Sequence, residues 1–295
     1  MQIVTYLSLV LTMLFWGGTF IAGRALAGEV NPSNAAFIRF ALATVALFFL
    51  TLSAEGKISL PPRSKWLPLL LLGCTGVFSY NVLFFTGLQY ITAGRAALII
   101  ALNPLAISLF AFLFLKEPVT PRQAFGILLS LTGAVFVISN GHPSEIFTGS
   151  FGRGEIALLG CVVSWVAYSL IGRTVLTSLS PFAAVFYSSL IGTLLLLLPA
   201  LNQGLITNIG HISPLNWLGL SYLGICGTAL GFSLYYRAIK SIGATRSGVF
   251  INLVPLFSII LSWLLLGEAI KTIVVIGGLT LLTGVTITNY SRSKV

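Results

Sequence analysis

The chain has 295 residues, of which 57% are hydrophobic and only 7% charged, whereas a soluble domain carries about a quarter charged residues. That composition excludes a water-soluble globular fold. The net charge of +10 would suit a nucleic-acid partner, but the placement of the basic residues fits a membrane better and no nucleic acid is expected.

Apolar stretches of about 20 residues, each long enough to cross a bilayer, recur at roughly 4–24, 34–54, 66–88, 96–115, 122–140, 155–173, 181–201, 214–236, 247–266 and 271–290. The expected fold class is therefore an all-α polytopic membrane protein with ten transmembrane helices. The long run between Arg173 and Arg237 is divided at Asn202–Ser213, which carries Asn, Gln, Gly and His. No cleavable signal peptide is expected, because Met1-Gln2 provides no basic region and the first apolar run is too long for one. Connections are short, the longest about 14 residues around Gly141–Gly154, and leave no room for a soluble domain.

With helices alternating in direction, eleven Lys and Arg fall on the N-terminal side: Lys57, Arg63, Lys65, Lys116, Arg122, Arg173, Arg237, Lys240, Arg246, Arg292 and Lys294. Five fall on the other: Arg24, Arg39, Arg95, Arg153 and Lys271. Cytoplasmic loops carry the basic excess, so both termini of a protein of the bacterial inner membrane are expected in the cytoplasm. Cys74, Cys161 and Cys226 lie within helices, far from any CxxC spacing, and read as small packing residues. Neither His142 nor His211 lies in a span; no metal site and no cofactor are expected.

The chain repeats itself. FWGGTFIAGRALAGEVNP around Trp16 matches SWVAYSLIGRTVLTSLSP around Trp165. The offset is 149 for Trp16 and Trp165, Arg24 and Arg173, and Pro32 and Pro181. It becomes 151 for Gly73 and Gly224, Arg95 and Arg246, Pro104 and Pro255, Glu117 and Glu268, Gly126 and Gly277, and Gly133 and Gly284. Two five-helix halves follow, 1–141 and 153–295. Five is odd, so the second half starts on the opposite side of the membrane and the repeats are inverted. Secondary transporters of that kind hold substrate near the midplane between their repeats.

Helix 4 reads IIALNPLAISLFAFLFL and helix 9 INLVPLFSIILSWLLL. Proline removes a backbone hydrogen bond, and interrupted helices at equivalent places in two halves point to a binding site. Pro104 and Pro255 are expected to act as hinges, with Asn103, Asn252 or water meeting the carbonyls they free.

These residues resemble the EamA branch of the drug/metabolite transporter superfamily. The resemblance rests on FWGGTF in helix 1, FIRFALA in helix 2, LNPL in helix 4, and the KEP and GEAI ends of helices 4 and 9. It covers nearly the whole chain and lies close to the YddG-type exporters of aromatic amino acids. It implies a basket-like bundle around a central cavity, alternating access, and export of amino acids or related metabolites.

The pathway needs polar and aromatic groups facing the interior. Trp16 and Thr19 share a face of helix 1, and Trp165 and Tyr168 the matching face of helix 6. Helix 3 adds Tyr80, Asn81 and Phe84, and helix 8 adds Tyr235, which pairs with Phe84 at the 151 offset. With Asn103 and Asn252 these form the expected substrate-binding set. Arg39 reads as a surface-snorkelling residue, a structural ion-pair partner or a gate. Arg95 and Arg246 read as surface anchors, and Glu117 and Glu268 as acceptors for loop donors. Helices 5 and 10, nearly free of polar side chains, read as scaffold. All six acids lie at or near helix ends and Asp is absent, so a midplane carboxylate proton relay has no candidate.

An enzyme is disfavoured, since HExxH, an intramembrane aspartate pair and a Walker A loop are all missing from the sequence. A channel would want a continuous polar lining or a charged ring. The expected function is export of amino acids, aromatic and other large neutral ones foremost, by alternating access of two inverted repeats. Export of other metabolites or drugs, such as nucleosides and amphipathic compounds, is the alternative, and a passive channel the weaker one. The expected partners are a small-molecule amino-acid substrate and the lipid bilayer, with the protein acting as a monomer.

Overall fold

The computed structural model describes residues 2–103, 105–106, 110, 120–138, 141, 152–242 and 250–290. Among these there are helices and no strands. In chain order they are α1 (Gln2–Ala25), α2 (Pro32–Glu55), α3 (Arg63–Tyr90), α4 (Ala93–Ile100), α5 (Pro121–Ile138), α6 (Arg153–Val175), α7 (Pro181–Asn202), α8 (214–242), α9 (Leu253–Leu266) and α10 (Thr272–Tyr290).

Local chemistry sets many of the starts. Pro32, Pro121, Pro181 and Pro214 each open a helix, where a missing N–H costs nothing. Ser180 and Ser213 cap α7 and α8, their hydroxyls accepting from the Ala183 and Asn216 N–H groups at 3.1 and 3.2 Å. Gly56, at φ +72°, ends α2 with its N–H on Leu52 O, a left-handed turn that suits glycine.

Among the described residues, six helices are long and apolar enough to cross a membrane: Ile3–Ala25, Pro32–Glu55, Arg63–Tyr90, Arg153–Gly172, Pro181–Asn202 and Pro214–Ala238. Leu253–Leu266 and Thr272–Gly284 are shorter apolar helices. Large apolar side chains such as Leu7, Phe49, Leu67, Leu128, Leu198 and Leu264 point outward, exposed, as lipid-facing residues do. The protein is a multi-pass membrane protein.

Two features were not legible as spans. α3 and α8 each widen into a π-helical stretch, Gly73–Ser79 and Tyr222–Leu230. The side chain of Asn81 donates to Gly76 O and Val77 O at 3.3 and 2.8 Å, and Thr228 donates to Leu223 O at 2.9 Å. These bonds anchor both side chains on carbonyls of the widened turns. The fourth expected span is described only in part. α4 ends at Ile100, and Leu102 N–H tightens onto Ile99 O before Asn103. Pro104 lies outside the described residues. Pro255 is not a mid-helix break. It is buried in the first turn of α9, directly after the 3₁₀ turn Phe250–Asn252, where the helix has no partner for its N–H in any case.

Helices pack close wherever glycine meets backbone, and they do so reciprocally. A Cβ on Gly133 would stand 2.4 Å from Leu281 N, and one on Gly284 2.4 Å from Ser130 N; 133 and 284, like 130 and 281, are 151 apart. Gly73 abuts Ile191 and Gly192, while Gly224 abuts Leu42 and Ala43, the residues 149 earlier. Thr44 and Thr193, 149 apart, share a hydrogen bond at 3.1 Å between α2 and α7.

Candidate functional site

α1, α2, α3, α4, α6, α8 and the α9 turn converge on a cavity of about 70 Å³. That volume has room for a few waters, and is far smaller than the roughly 300–1,000 Å³ of ligand-filled pockets. Its walls are Trp16, Thr19, Phe20, Arg39, Tyr80, Phe84, Ile100, Asn103, Trp165, Phe232, Ile251 and Val254.

Aromatic rings make a continuous belt. Trp16 meets Trp165 edge-on with centroids 6.4 Å apart, and both meet Phe232, at 5.4 and 5.9 Å. Tyr80 contacts Trp165 at 5.6 Å and stacks on Phe84 at 6.1 Å. The Trp16 indole N–H is spoken for, donating to Gly227 O at 3.0 Å within the π stretch of α8. Thr19 donates to Trp16 O at 2.6 Å. Both α1 residues thus present apolar faces to the cavity while their polar atoms are tied to backbone.

Of the ten residues expected to bind substrate, Trp16, Thr19, Tyr80, Phe84, Asn103 and Trp165 line this cavity. Asn81 sits behind the wall, 1% exposed, gripping Arg39. Tyr168 turns away, its ring packed over Gly76. Tyr235 backs the wall from behind, its ring 5.1 Å from that of Trp16. Asn252 belongs to the turn before α9; its side chain lies outside the described residues, and its neighbour Ile251 reaches the cavity.

Of the readings open for Arg39, the structure rules out the surface one. Arg39 does not snorkel: it is 6% exposed, and its Cα lies about 10 Å from the start of α2 at 1.5 Å per residue. Its Nε donates to Thr228 Oγ1 at 3.1 Å and its Nη1 to Asn81 Oδ1 at 2.9 Å. Among the described residues it makes no further hydrogen bond and meets no carboxylate. Holding a charge inside a membrane costs at least about 2.5 kcal/mol, and such residues usually face a polar interior. The cavity wall carries a cation.

Arg95 is no simple surface anchor either. It pairs with Glu155 at 3.0 Å, and the Glu155 side chain is 4% exposed. Nearby, Glu268 Oε1 accepts from Ala93 N–H at 3.3 Å and lies 3.9 Å from Arg24 Nε. These contacts tie α1, α4, α6 and the end of α9 together at the end of the bundle away from the N-terminus. Among the described residues, no group of three or more His, Cys, Asp or Glu side chains stands close enough to hold a metal ion.

The model of the EamA-like transporter family matches residues 3–139 and again 152–290. The chain belongs to the EamA-like transporter family. Similar curated proteins span nearly its whole length. The uncharacterized transporter YyaM of Bacillus subtilis is 30% identical over 95% of this chain and 92% of its own. An uncharacterized transporter of Archaeoglobus fulgidus is 30% identical over 98% and 99%. A probable terminal-alkyne amino-acid exporter of Streptantibioticus cattleyicolor is 29% identical over 96% and 92%. A solved crystal structure shares the fold, with a TM-score of 0.69 at 19% identity over the whole of both chains. The protein is an EamA-like transporter.

Proposed function

We propose that this transporter exports amino acids, aromatic and other large neutral ones foremost, by alternating access of two inverted five-helix repeats. The observation that carries the reading is the aromatic cavity at the meeting of the two halves, with Trp16 of one half against Trp165 of the other. Flat rings stack on indole and phenol faces, and the relative named as an amino-acid exporter supports the chemical class.

The topology behind the reading is ten spans with both termini in the cytoplasm. An inverted pair of repeats, 1–141 and 153–295, implies a two-fold axis in the membrane plane. On such an axis each element meets its own counterpart and every off-axis contact recurs with its members exchanged. The Thr44–Thr193 and Trp16–Trp165 pairs support the first condition, and the glycine contacts of Gly133 with Gly284 and of Gly73 with Gly224 support the second.

Rocking about that axis would open one mouth as the other shuts. The mouth away from the N-terminus is laced by Arg24, Arg95, Glu155 and Glu268, contacts that support reading it as the closed one. Arg24 and Glu268 have Arg173 and Glu117 as counterparts at offsets of 149 and 151, which would lace the opposite mouth in the alternate state. Pro255, at the start of α9, and its sequence counterpart Pro104 are the hinges of this reading.

The test is efflux from liposomes holding the purified protein and preloaded separately with labelled phenylalanine, tryptophan, threonine, lysine and a nucleoside. Saturable, cross-competing efflux of phenylalanine and tryptophan is expected. Efflux of the nucleoside alone would keep the fold and discard the substrate.

A further inference from the structure

A buried guanidinium has five N–H donors in a planar fork. Arg39 uses Nε on Thr228 and Nη1 on Asn81, and its Nη2 has no hydrogen-bond partner among the described residues. Both partners are neutral, and each is itself anchored on a π stretch, Asn81 through Gly76 O and Thr228 through Leu223 O. One clamp comes from α3 and the other from α8, so the fork is held from both halves of the chain. A charge fixed this firmly, on the wall of a cavity, with no counterion among the described residues, is arranged to meet an anion rather than to balance one. Across the same cavity Asn103 is 4% exposed, and its Oδ1 is a buried acceptor with no partner among the described residues. An unmet buried acceptor is costly and calls for a donor.

We propose that Arg39 is the carboxylate-binding group of this transporter and that the Asn103 amide oxygen receives the ammonium group of the same substrate. The inference rests on the cavity being the transport site, as argued above. It adds that the main-chain end of an amino acid, a carboxylate beside an ammonium, is read separately from its side chain. The carboxylate would approach the free Nη2 edge of the fork, leaving Thr228 and Asn81 in place. The aromatic belt of Trp16, Trp165, Tyr80 and Phe232 would then hold the side chain. A free amine without a carboxylate would meet an uncompensated cation and be rejected.

The experiment measures competition and ligand-induced thermal stabilisation on the full-length protein. It uses two matched sets: phenylalanine, phenylalaninamide, 3-phenylpropionate and phenethylamine; and leucine, leucinamide, 4-methylvalerate and isoamylamine. In the wild type the amide and the amine should bind at least about tenfold more weakly than the amino acid, the scale of a lost charge-assisted hydrogen bond. In Arg39→Gln the gap between amino acid and amide should close. Asn81→Asp keeps the fork paired and the fold supported, but sets an internal carboxylate on Arg39; it should lose the same preference. Asn103→Ala should lose the advantage of phenylalanine over 3-phenylpropionate and keep the advantage over the amide. Amide binding equal to amino-acid binding in the wild type would overturn the assignment, whatever the variants do. Silence in both sets would overturn it as well. A leucine set that obeys the carboxylate rule while the phenylalanine set is silent would keep Arg39 and remove the aromatic substrate.

Discussion

The indole rings of Trp16 and Trp165 meet edge to face, 6.4 Å between centroids and 82° between planes, although 149 residues separate them. Each stands at the same place in its half of the chain, so their contact lies where the halves face each other. Both touch Phe232, and both line the cavity.

That relationship predicts matched effects. Trp16→Ala and Trp165→Ala should each weaken phenylalanine binding by about tenfold, from lost ring contact and area, with Trp→Phe at either site retaining most of it. Titration of half-saturating concentration in the reconstituted variants checks this. A large effect at one tryptophan and none at the other would remove the shared site.

The reciprocal glycines predict matched destabilisation. A methyl group at Gly133 or Gly284 would stand 2.4 Å from a backbone nitrogen of the opposing helix, which cannot yield without separating α5 from α10. Gly133→Ala and Gly284→Ala should each cost about 1–3 kcal/mol, and by similar amounts. Thermal unfolding in detergent reads the effect; an unchanged midpoint in either variant contradicts the packing.

The charged lacing predicts a change in access. Glu155→Gln leaves the Arg95 guanidinium without its counterion at 3.0 Å, and should loosen that mouth. The readout is labelling of a cysteine placed at Thr19, in a chain whose three natural cysteines are serine, by a membrane-impermeant thiol reagent. Labelling should quicken several-fold in Glu155→Gln, the order expected of a paired charge removed from a largely buried site. An unchanged rate would mean that the pair does not hold the mouth.

Thr228→Val removes one of the two clamps on Arg39. A hydrogen bond to a charged group is worth about 1.5–3 kcal/mol, so the variant should unfold earlier by that measure. Thr228→Ser should behave as wild type. Equal stability of the valine variant would show that Arg39 finds water instead.

Much of this was legible from the chain because membrane spans are written in composition and the repeat in fixed offsets. Trp16, Trp165, Tyr80 and Asn103 could be placed on the cavity because aromatic and amide side chains are expensive to leave unexplained in a membrane. Arg39 was not legible. An arginine in the first turns of a span usually reaches outward along its own stem; here Asn81 and Thr228 hold it inward, and only the tertiary fold brings residues 42 and 189 positions away to its side. The π stretches were missed for a related reason. Glycine-rich segments such as Gly73–Ser79 read as close-packing sites, and nothing in their spacing marks an extra residue per turn. Tyr168 was placed on the cavity by its helix face, but the space above Gly76 takes its ring the other way.

The most direct test of the central claim, a carrier whose two halves enclose one amino-acid site, is counterflow. Liposomes containing the protein are loaded with unlabelled phenylalanine and diluted into a trace of labelled phenylalanine. A carrier with alternating access transiently accumulates label above its equilibrium level, and loading with tryptophan should do the same. Label that rises only to equilibrium, at a rate indifferent to what is loaded inside, would contradict the account.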